Sequence, residues 1–75
     1  MINEEQFKMI VAQNLINYRK INNLTQLDLA NKLSYSDKAI SKWERGESLP
    51  DLYTLEKIAQ LYGITINELV YEKEE

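Results

Sequence analysis

Apolar residues recur along the first part of the chain at the three- and four-residue intervals that place side chains on one face of a helix. The members of this stripe are Phe7, Val11, Leu15 and Tyr18. Asn3 and Gln6 have the spacing of a reciprocal capping pair, which predicts that the helix begins just after Asn3. Asn22 and Asn23 predict its end near Ile21, because asparagine tolerates the left-handed conformation that often follows a helix C-terminus.

Two short helices joined by a tight turn are predicted next. Thr25 caps the first of them, over about 26–33, and Ser36 caps the second, over about 37–45. Gly46 ends the second helix as a left-handed residue. The side chains expected to face the core from this region are Leu24, Leu29, Ala30, Leu33, Ile40 and Trp43.

Two further helices are predicted in the last third of the chain. Asp51 caps a fourth helix that Gly63 closes, and Thr65 with Glu68 forms a capping pair for a short fifth helix. Their expected inward residues are Leu52, Leu55, Ile58, Ala59 and Tyr62 on the fourth helix, and Ile66, Leu69 and Val70 on the fifth. No segment alternates between apolar and polar residues for long enough to form a strand, so the predicted fold class is all-α.

The composition excludes several classes of site. The chain has 75 residues, enough for one domain with a small core, and it contains no cysteine and no histidine. A disulfide, a thiolate or imidazole metal site and the commonest general base are therefore ruled out. Without a glycine-rich phosphate loop or a convergent carboxylate pair, we expect no enzymatic activity and no cofactor. No apolar run approaches the roughly 18 residues that cross a bilayer, and no signal peptide is evident, so we expect a cytoplasmic protein.

The charges are unevenly distributed. The formal net charge is −3, which argues mildly against a nucleic-acid partner. Between residues 16 and 46, however, six basic residues outnumber three acidic ones. They are Arg19, Lys20, Lys32, Lys38, Lys42 and Arg45 against Asp28, Asp37 and Glu44. This locally positive segment is compatible with phosphate binding.

Lys38 and Lys42 lie four residues apart on the third predicted helix, so they share one face. On an arbitrary helix such a pair would be an ordinary solvated surface. On a helix that projects just beyond a tight turn, lysine donors could reach guanine O6 and N7 in the major groove of DNA, and we favour this interpretation. Trp43 could stack on a base, but its three-residue spacing from Ile40 favours a place in the core.

The segment LTQLDLANKLSYSDKAISKWERGESLP, residues 24–50, resembles the Cro/C1-type helix-turn-helix family, also called the xenobiotic-response-element family. The matching features are Gln26, Leu29-Ala30, Ser36, the run ISKWERG at 40–46 and Leu49-Pro50, and the similarity extends from Val11 to Val70. The resemblance implies a compact five-helix, lambda-repressor-like domain at 11–71. Residues 1–10 would extend the first helix, and 72–75 would form an acidic tail.

The resemblance also implies roles for individual side chains. The positions expected to face bases hold Asp37, Lys38, Ser41 and Lys42, and those expected to meet phosphates hold Gln26, Ser36, Arg45 and Arg19. Arg19 and Glu44 occupy the positions of an inter-helix ion pair. Gln26 could instead simply cap its own helix.

Two residues depart from the family pattern. Ser34 stands in the turn where the family often has glycine, so it must take a positive φ at some cost or the turn must adjust. Asp37 places a carboxylate where a base is expected, in the repulsive field of the phosphates. It could still accept a hydrogen bond from cytosine N4.

The function that follows is a sequence-specific transcriptional regulator, expected to repress, that reads double-stranded DNA with helix 37–45. The alternative is an antitoxin-like or other protein-interaction module on the same scaffold, motivated by Asp37 and the acidic total charge. A homodimer is expected to form through one of two sets of apolar residues, either of which could instead be ordinary surface or core. The sets are Ile66, Val70 and Tyr71, or Met9, Ile10 and Ile16.

Overall fold

The structure is a computed structural model that describes residues 1–73, and it contains the five predicted helices. They are α1 (Glu4–Ile21), α2 (Gln26–Leu33), α3 (Asp37–Glu44), α4 (Leu52–Tyr62) and α5 (Ile66–Val70). No strand occurs among the described residues, so the all-α prediction is confirmed. Within the same span, no helix is long and apolar enough to cross a membrane. The predicted acidic tail at 72–75 lies partly outside the described residues, which stop at 73.

Reciprocal caps set where the first two helices begin. Asn3 Oδ1 accepts a hydrogen bond from the Gln6 amide at 2.8 Å, and Gln6 Oε1 accepts one from the Asn3 amide at 3.0 Å. Thr25 and Asp28 make the same exchange at the start of α2, with distances of 3.0 and 2.9 Å. The predicted starts of α1 and α2 are therefore confirmed, and amides that would otherwise lack partners are satisfied.

Four residues in the left-handed region end four of the helices. Asn23 follows α1 with φ 58°, Ser34 follows α2 with φ 59°, and Gly46 and Gly63 follow α3 and α4 with φ 73° and 69°. The positive φ expected for Ser34 is confirmed. Because serine carries a Cβ, this residue bears conformational strain that a glycine in the same turn would not.

The core lies between α1 and the other four helices. Its largest fully buried side chains are Val11, Leu15, Leu29, Ile40, Thr54, Ile58 and Leu69. Trp43 is 6% exposed, which confirms that it belongs to the core. Around this centre pack partly buried apolar residues, which include Phe7, Leu24, Tyr62, Ile66 and Val70.

The prediction for Leu52 is wrong. This residue is 72% exposed, although its spacing from Leu55 continues the buried stripe of α4. Leu52 is the first residue of the helix, directly after the capping residue Asp51. Thr54 is buried, and its hydroxyl lies 2.9 Å from the hydroxyl of Tyr35.

Two polar contacts tie the outer elements to this core. Asn14, buried on α1, donates through Nδ2 to the carbonyl oxygens of Leu69 at 3.0 Å and Tyr71 at 2.9 Å, and so holds the end of α5. The ring of Tyr35 meets Trp43 edge-on with 5.1 Å between centroids. Together with the hydroxyl contact to Thr54, this fixes the α2–α3 turn against both α3 and α4.

Replacing Ser34 with glycine should stabilise the protein. Glycine takes positive φ without a steric penalty, and we expect the free energy of unfolding to rise by about 0.5–1 kcal/mol, because relief of strain exceeds the added entropy of the unfolded chain. Urea denaturation followed by circular dichroism measures the change. The matched variant Asn23→Gly should gain less, because asparagine already tolerates φ 58°. A loss of stability in Ser34→Gly would contradict the strain argument.

Candidate nucleic-acid interface

The outer face of α3 carries exposed polar side chains. Ile40 and Trp43 bury the inner face against the core, while Asp37, Lys38 and Lys42 are exposed and Ser41 is half-buried. The helix has eight residues, so its length is about 12 Å, close to the width of the major groove. The structure thus presents two lysines on a short helix with nothing from the described chain covering them.

A buried ion pair joins α1 to the C-terminal end of α3. Arg19 Nε and Nη2 donate to the two carboxylate oxygens of Glu44 at 2.8 and 3.0 Å, a bidentate arrangement. The two side chains are 13% and 4% exposed. Glu44 Oε1 also accepts from Gln26 Nε2 at 3.0 Å, so α1, α2 and α3 meet at one carboxylate.

Two residues expected to meet phosphates, Arg19 and Gln26, are bonded to Glu44. The Arg19 guanidinium donates to Glu44 and, through Nη1, to the Leu24 carbonyl oxygen at 2.8 Å. These bonds hold it inside the fold, as a structural partner of Glu44. Gln26 is half-buried and donates to Glu44, which orients its side chain at the first position of α2 beside the free amides of that helix.

Arg45 and Ser41 are linked on the surface of α3. Arg45 Nη1 donates to Ser41 Oγ, and Arg45 Nε and Nη2 donate to the carboxylate of Glu47. The hydrogen bonding of Arg45 to the Glu47 carboxylate lowers the pKa of Glu47. Ser36 Oγ accepts from the Ala39 amide at 3.2 Å, so this hydroxyl already caps α3.

Tyr62 places a hydroxyl beside the buried ion pair. Among the described residues this hydroxyl is buried and has no hydrogen-bond partner. Burial, reinforced by the negative charge of Glu44, raises the pKa of Tyr62 to about 12. The negative charge of Glu44 raises this pKa and the positive charge of Arg19 lowers it.

Sequence reasoning did not single out Glu47 and Tyr62. Glu47 lies in a segment read only as a loop, although its position two residues after Arg45 could have suggested an ion pair. Tyr62 was expected in the apolar stripe, and no sequence signal marked its hydroxyl. No cluster of three or more potential metal ligands occurs within residues 1–73.

The comparisons with known proteins agree with this geometry. The profile of the helix-turn-helix family matches residues 15–69. The transcriptional activator BcrR of Enterococcus faecalis is 44% identical over 69% of this chain, and an uncharacterised helix-turn-helix-type transcriptional regulator of Methanocaldococcus jannaschii is 42% identical over 77% of it. The cryptic phage CTXphi transcriptional repressor RstR of Vibrio cholerae is 39% identical over 81%. The chain spans 26%, 89% and 54% of these three proteins.

Two solved structures show that this fold occurs in proteins of different function. The SOS-response transcriptional repressor LexA from Eubacterium rectale superposes with a TM-score of 0.87 and 25% identity, over 92% of this chain and 73% of that one. Hydroxypropylphosphonic acid epoxidase from S. wedmorenis superposes with a TM-score of 0.79 and 26% identity, over 85% of this chain and 34% of that one. The same fold therefore also occurs as a minor part of an enzyme.

Breaking the buried ion pair from one side should cost more than removing it. We expect Arg19→Gln and Glu44→Gln each to lower the free energy of unfolding by about 3 kcal/mol, because each leaves a buried group without its partner. The double variant should lose less stability than either single variant, because it leaves no buried charge without a partner. Urea denaturation of all three variants measures this difference, and a double variant less stable than both single variants would contradict it.

The pH dependence of stability should carry a contribution from Tyr62. Its pKa is raised from 10.0 to about 12 on folding, so the folded state holds the proton more tightly. The resulting stability is fully present below pH 10 and is lost as the pH rises towards 12. In urea titrations at a series of alkaline pH values, Tyr62→Phe should lose less stability than the wild type. Parallel profiles for the two proteins would contradict the assignment.

Proposed function

This chain belongs to the Cro/C1-type helix-turn-helix family of transcriptional regulators, and we propose that it binds a specific double-stranded DNA site with α3 in the major groove. The family match and the relatives support regulation of transcription as the class of function. The observation that carries the proposal for this chain is the exposure of Lys38 and Lys42 on a helix whose other face is locked into the core. This chain spans only part of BcrR and of RstR, so the proposal covers DNA binding and not the other activities of those proteins.

The proposed base contacts are made by four side chains of α3. Lys38 and Lys42 would donate to guanine O6 and N7, and Asp37 would accept from cytosine N4. Ser41 would sit beside them and bond to either kind of edge. The presence of both lysines and a carboxylate favours a mixed sequence of guanines and cytosines. The lysines donate to guanine acceptors but not to the cytosine amino group, and the carboxylate accepts from that amino group but not from guanine O6 or N7.

The proposed phosphate contacts come from the ends of the helices. Gln26 stands at the start of α2 and Ser36 at the start of α3, where free amides and the helix dipole favour an anion. Arg45 supplies a guanidinium at the other end of α3. In this proposal Arg19 first fixes the angle of α3 through Glu44, and the N–H groups of its guanidinium that Glu44 and Leu24 leave free face a phosphate.

We propose repression as the regulatory outcome, through a bound protein that obstructs polymerase. RstR is a repressor and BcrR is an activator, so the family contains both outcomes. A homodimer is proposed as the binding form, because a single α3 offers few base contacts, whereas two copies can read half-sites about 34 Å apart. Each of the two candidate sets has one exposed side chain beside two half-buried ones: Tyr71, 67% exposed, with Ile66 and Val70, and Met9, 56% exposed, with Ile10 and Ile16.

A second candidate is an antitoxin-like module that binds another protein through this surface. It is favoured by the acidic residues near both ends of the lysine face, Asp37 and Glu47, and by the net charge of −3. Such a protein would bind DNA weakly even at low salt. It would purify with a stoichiometric protein partner from its native host.

Selection of duplexes from a random pool tests the proposal. The wild type should enrich one consensus, and the consensus should be palindromic if the dimer forms. Lys38→Ala should relax the preference at one or two positions, losing about 1–3 kcal/mol of discrimination there, because it removes a base contact. Arg45→Ala should weaken binding to all sequences alike, because phosphates carry no sequence information.

The control is Lys20→Ala, which removes one positive charge from the exposed end of α1 and should change neither the preference nor the consensus. Equal affinity of the wild type for every duplex would refute sequence-specific reading. No binding at low salt, with a co-purified protein partner, would favour the second candidate.

A further inference from the structure

Glu47 follows α3 and Gly46, and hydrogen bonds of the backbone fix its position. Gly46 turns the chain with φ 73°, its amide donates to the Trp43 carbonyl oxygen at 3.1 Å, and the Glu47 amide donates to the Lys42 carbonyl oxygen at 3.0 Å. A Cβ added to Gly46 would lie 2.5 Å from Met9 Sδ, so α1 closes over this turn from the other side. The backbone of Glu47 is thereby fixed against the last turn of α3.

This placement brings a carboxylate into the proposed DNA face. Glu47 Oε1 lies 3.4 Å from Arg45 Nη2, Oε2 accepts from Arg45 Nε, and the positive charge of Lys42 also acts on the same carboxylate. Arg45 in turn donates to Ser41 Oγ and so lies back along the helix. Both partners of the ion pair are about half exposed, at 53% and 52%, so a phosphate could reach the guanidinium.

We propose that Glu47 competes with DNA phosphate for Arg45 and so lowers the affinity of the protein for DNA of any sequence. This inference rests on the proposed function, because it assumes that the α3 face meets DNA. Each encounter with a phosphate must exchange the carboxylate for the phosphate and leave Glu47 close to the negative backbone. The penalty is the same for every sequence, so it leaves the ratio of cognate to non-cognate affinity unchanged and lowers the lifetime of both kinds of complex.

The test compares Glu47→Gln with the wild type on a random-sequence duplex and on the selected consensus, over a range of salt concentrations. The variant removes the charge and nearly preserves the shape. We expect the affinity for the random duplex to rise about two- to fivefold, which is the scale of an exposed ion pair. The log–log salt slope should become more negative by at most about 0.9, because the carboxylate no longer offsets part of the charge that Arg45 brings to its phosphate.

Two further variants isolate the cause. Glu56→Gln makes the same charge change on α4, where the carboxylate accepts from Gln60, and should leave the affinity for random DNA within the error of measurement. In an Arg45→Gln background, Glu47→Gln should lose most of its effect, because the carboxylate acts through Arg45. An equal rise in Glu56→Gln would mean that net charge alone is responsible, and would overturn the inference.

The remaining outcomes separate this inference from the proposed function. If the wild type selects a consensus and Glu47→Gln binds random DNA no more tightly, the role of Glu47 is refuted while DNA recognition stands. Weaker binding by Glu47→Gln would mean that the carboxylate organises Arg45 for its contact, which also refutes competition. If the wild type binds no duplex at low salt, the proposed function fails and takes this inference with it.

Discussion

The arrangement of the DNA-facing surface depends on one buried carboxylate. Glu44 of α3 accepts from Arg19 of α1 and Gln26 of α2, so three helices converge on a side chain that is 4% exposed. With eight residues, α3 is too short to be stable alone, and it takes its direction from packing. Ile40 and Trp43 supply the apolar part of that packing, which is not directional. The bidentate ion pair is directional, and it restricts how far the helix can rotate or slide.

A buried ion pair is a costly way to fasten a helix. Desolvation of the two ions offsets most of their attraction, so a well-packed apolar pair could give similar stability. The pair fixes geometry, since the carboxylate lies at the end of α3 and the exposed lysines lie on the same short helix. A rotation of the helix would turn Lys38 and Lys42 away from the face proposed to meet DNA. Within residues 1–73 the buried hydroxyl of Tyr62 has no hydrogen-bond partner.

Most of the fold could be predicted from the sequence, because local signals fix it. Caps at Asn3 and Thr25 and left-handed residues such as Ser34 define the ends of the helices, and apolar spacing defines their inner faces. The predictions that failed concern which side chains are buried by neighbouring elements, and not where the helices begin and end. Leu52 follows the spacing of a buried residue but is exposed, because nothing covers that end of α4. Asn14 is polar and yet buried, because two carbonyl oxygens at the end of α5 lie within its reach.

The same distinction explains what could be predicted about the candidate site. Exposure of Lys38 and Lys42 follows from helical spacing alone, whereas the engagement of Arg45 depends on a turn that brings Glu47 back against α3. A net charge of −3 also gives the chain little long-range attraction for DNA, and charges beyond about 10 Å are screened at ordinary salt. In the proposed complex, association then relies on contacts made at short range. A carboxylate paired with Arg45 acts in that same range, where charges are less screened than across the whole molecule.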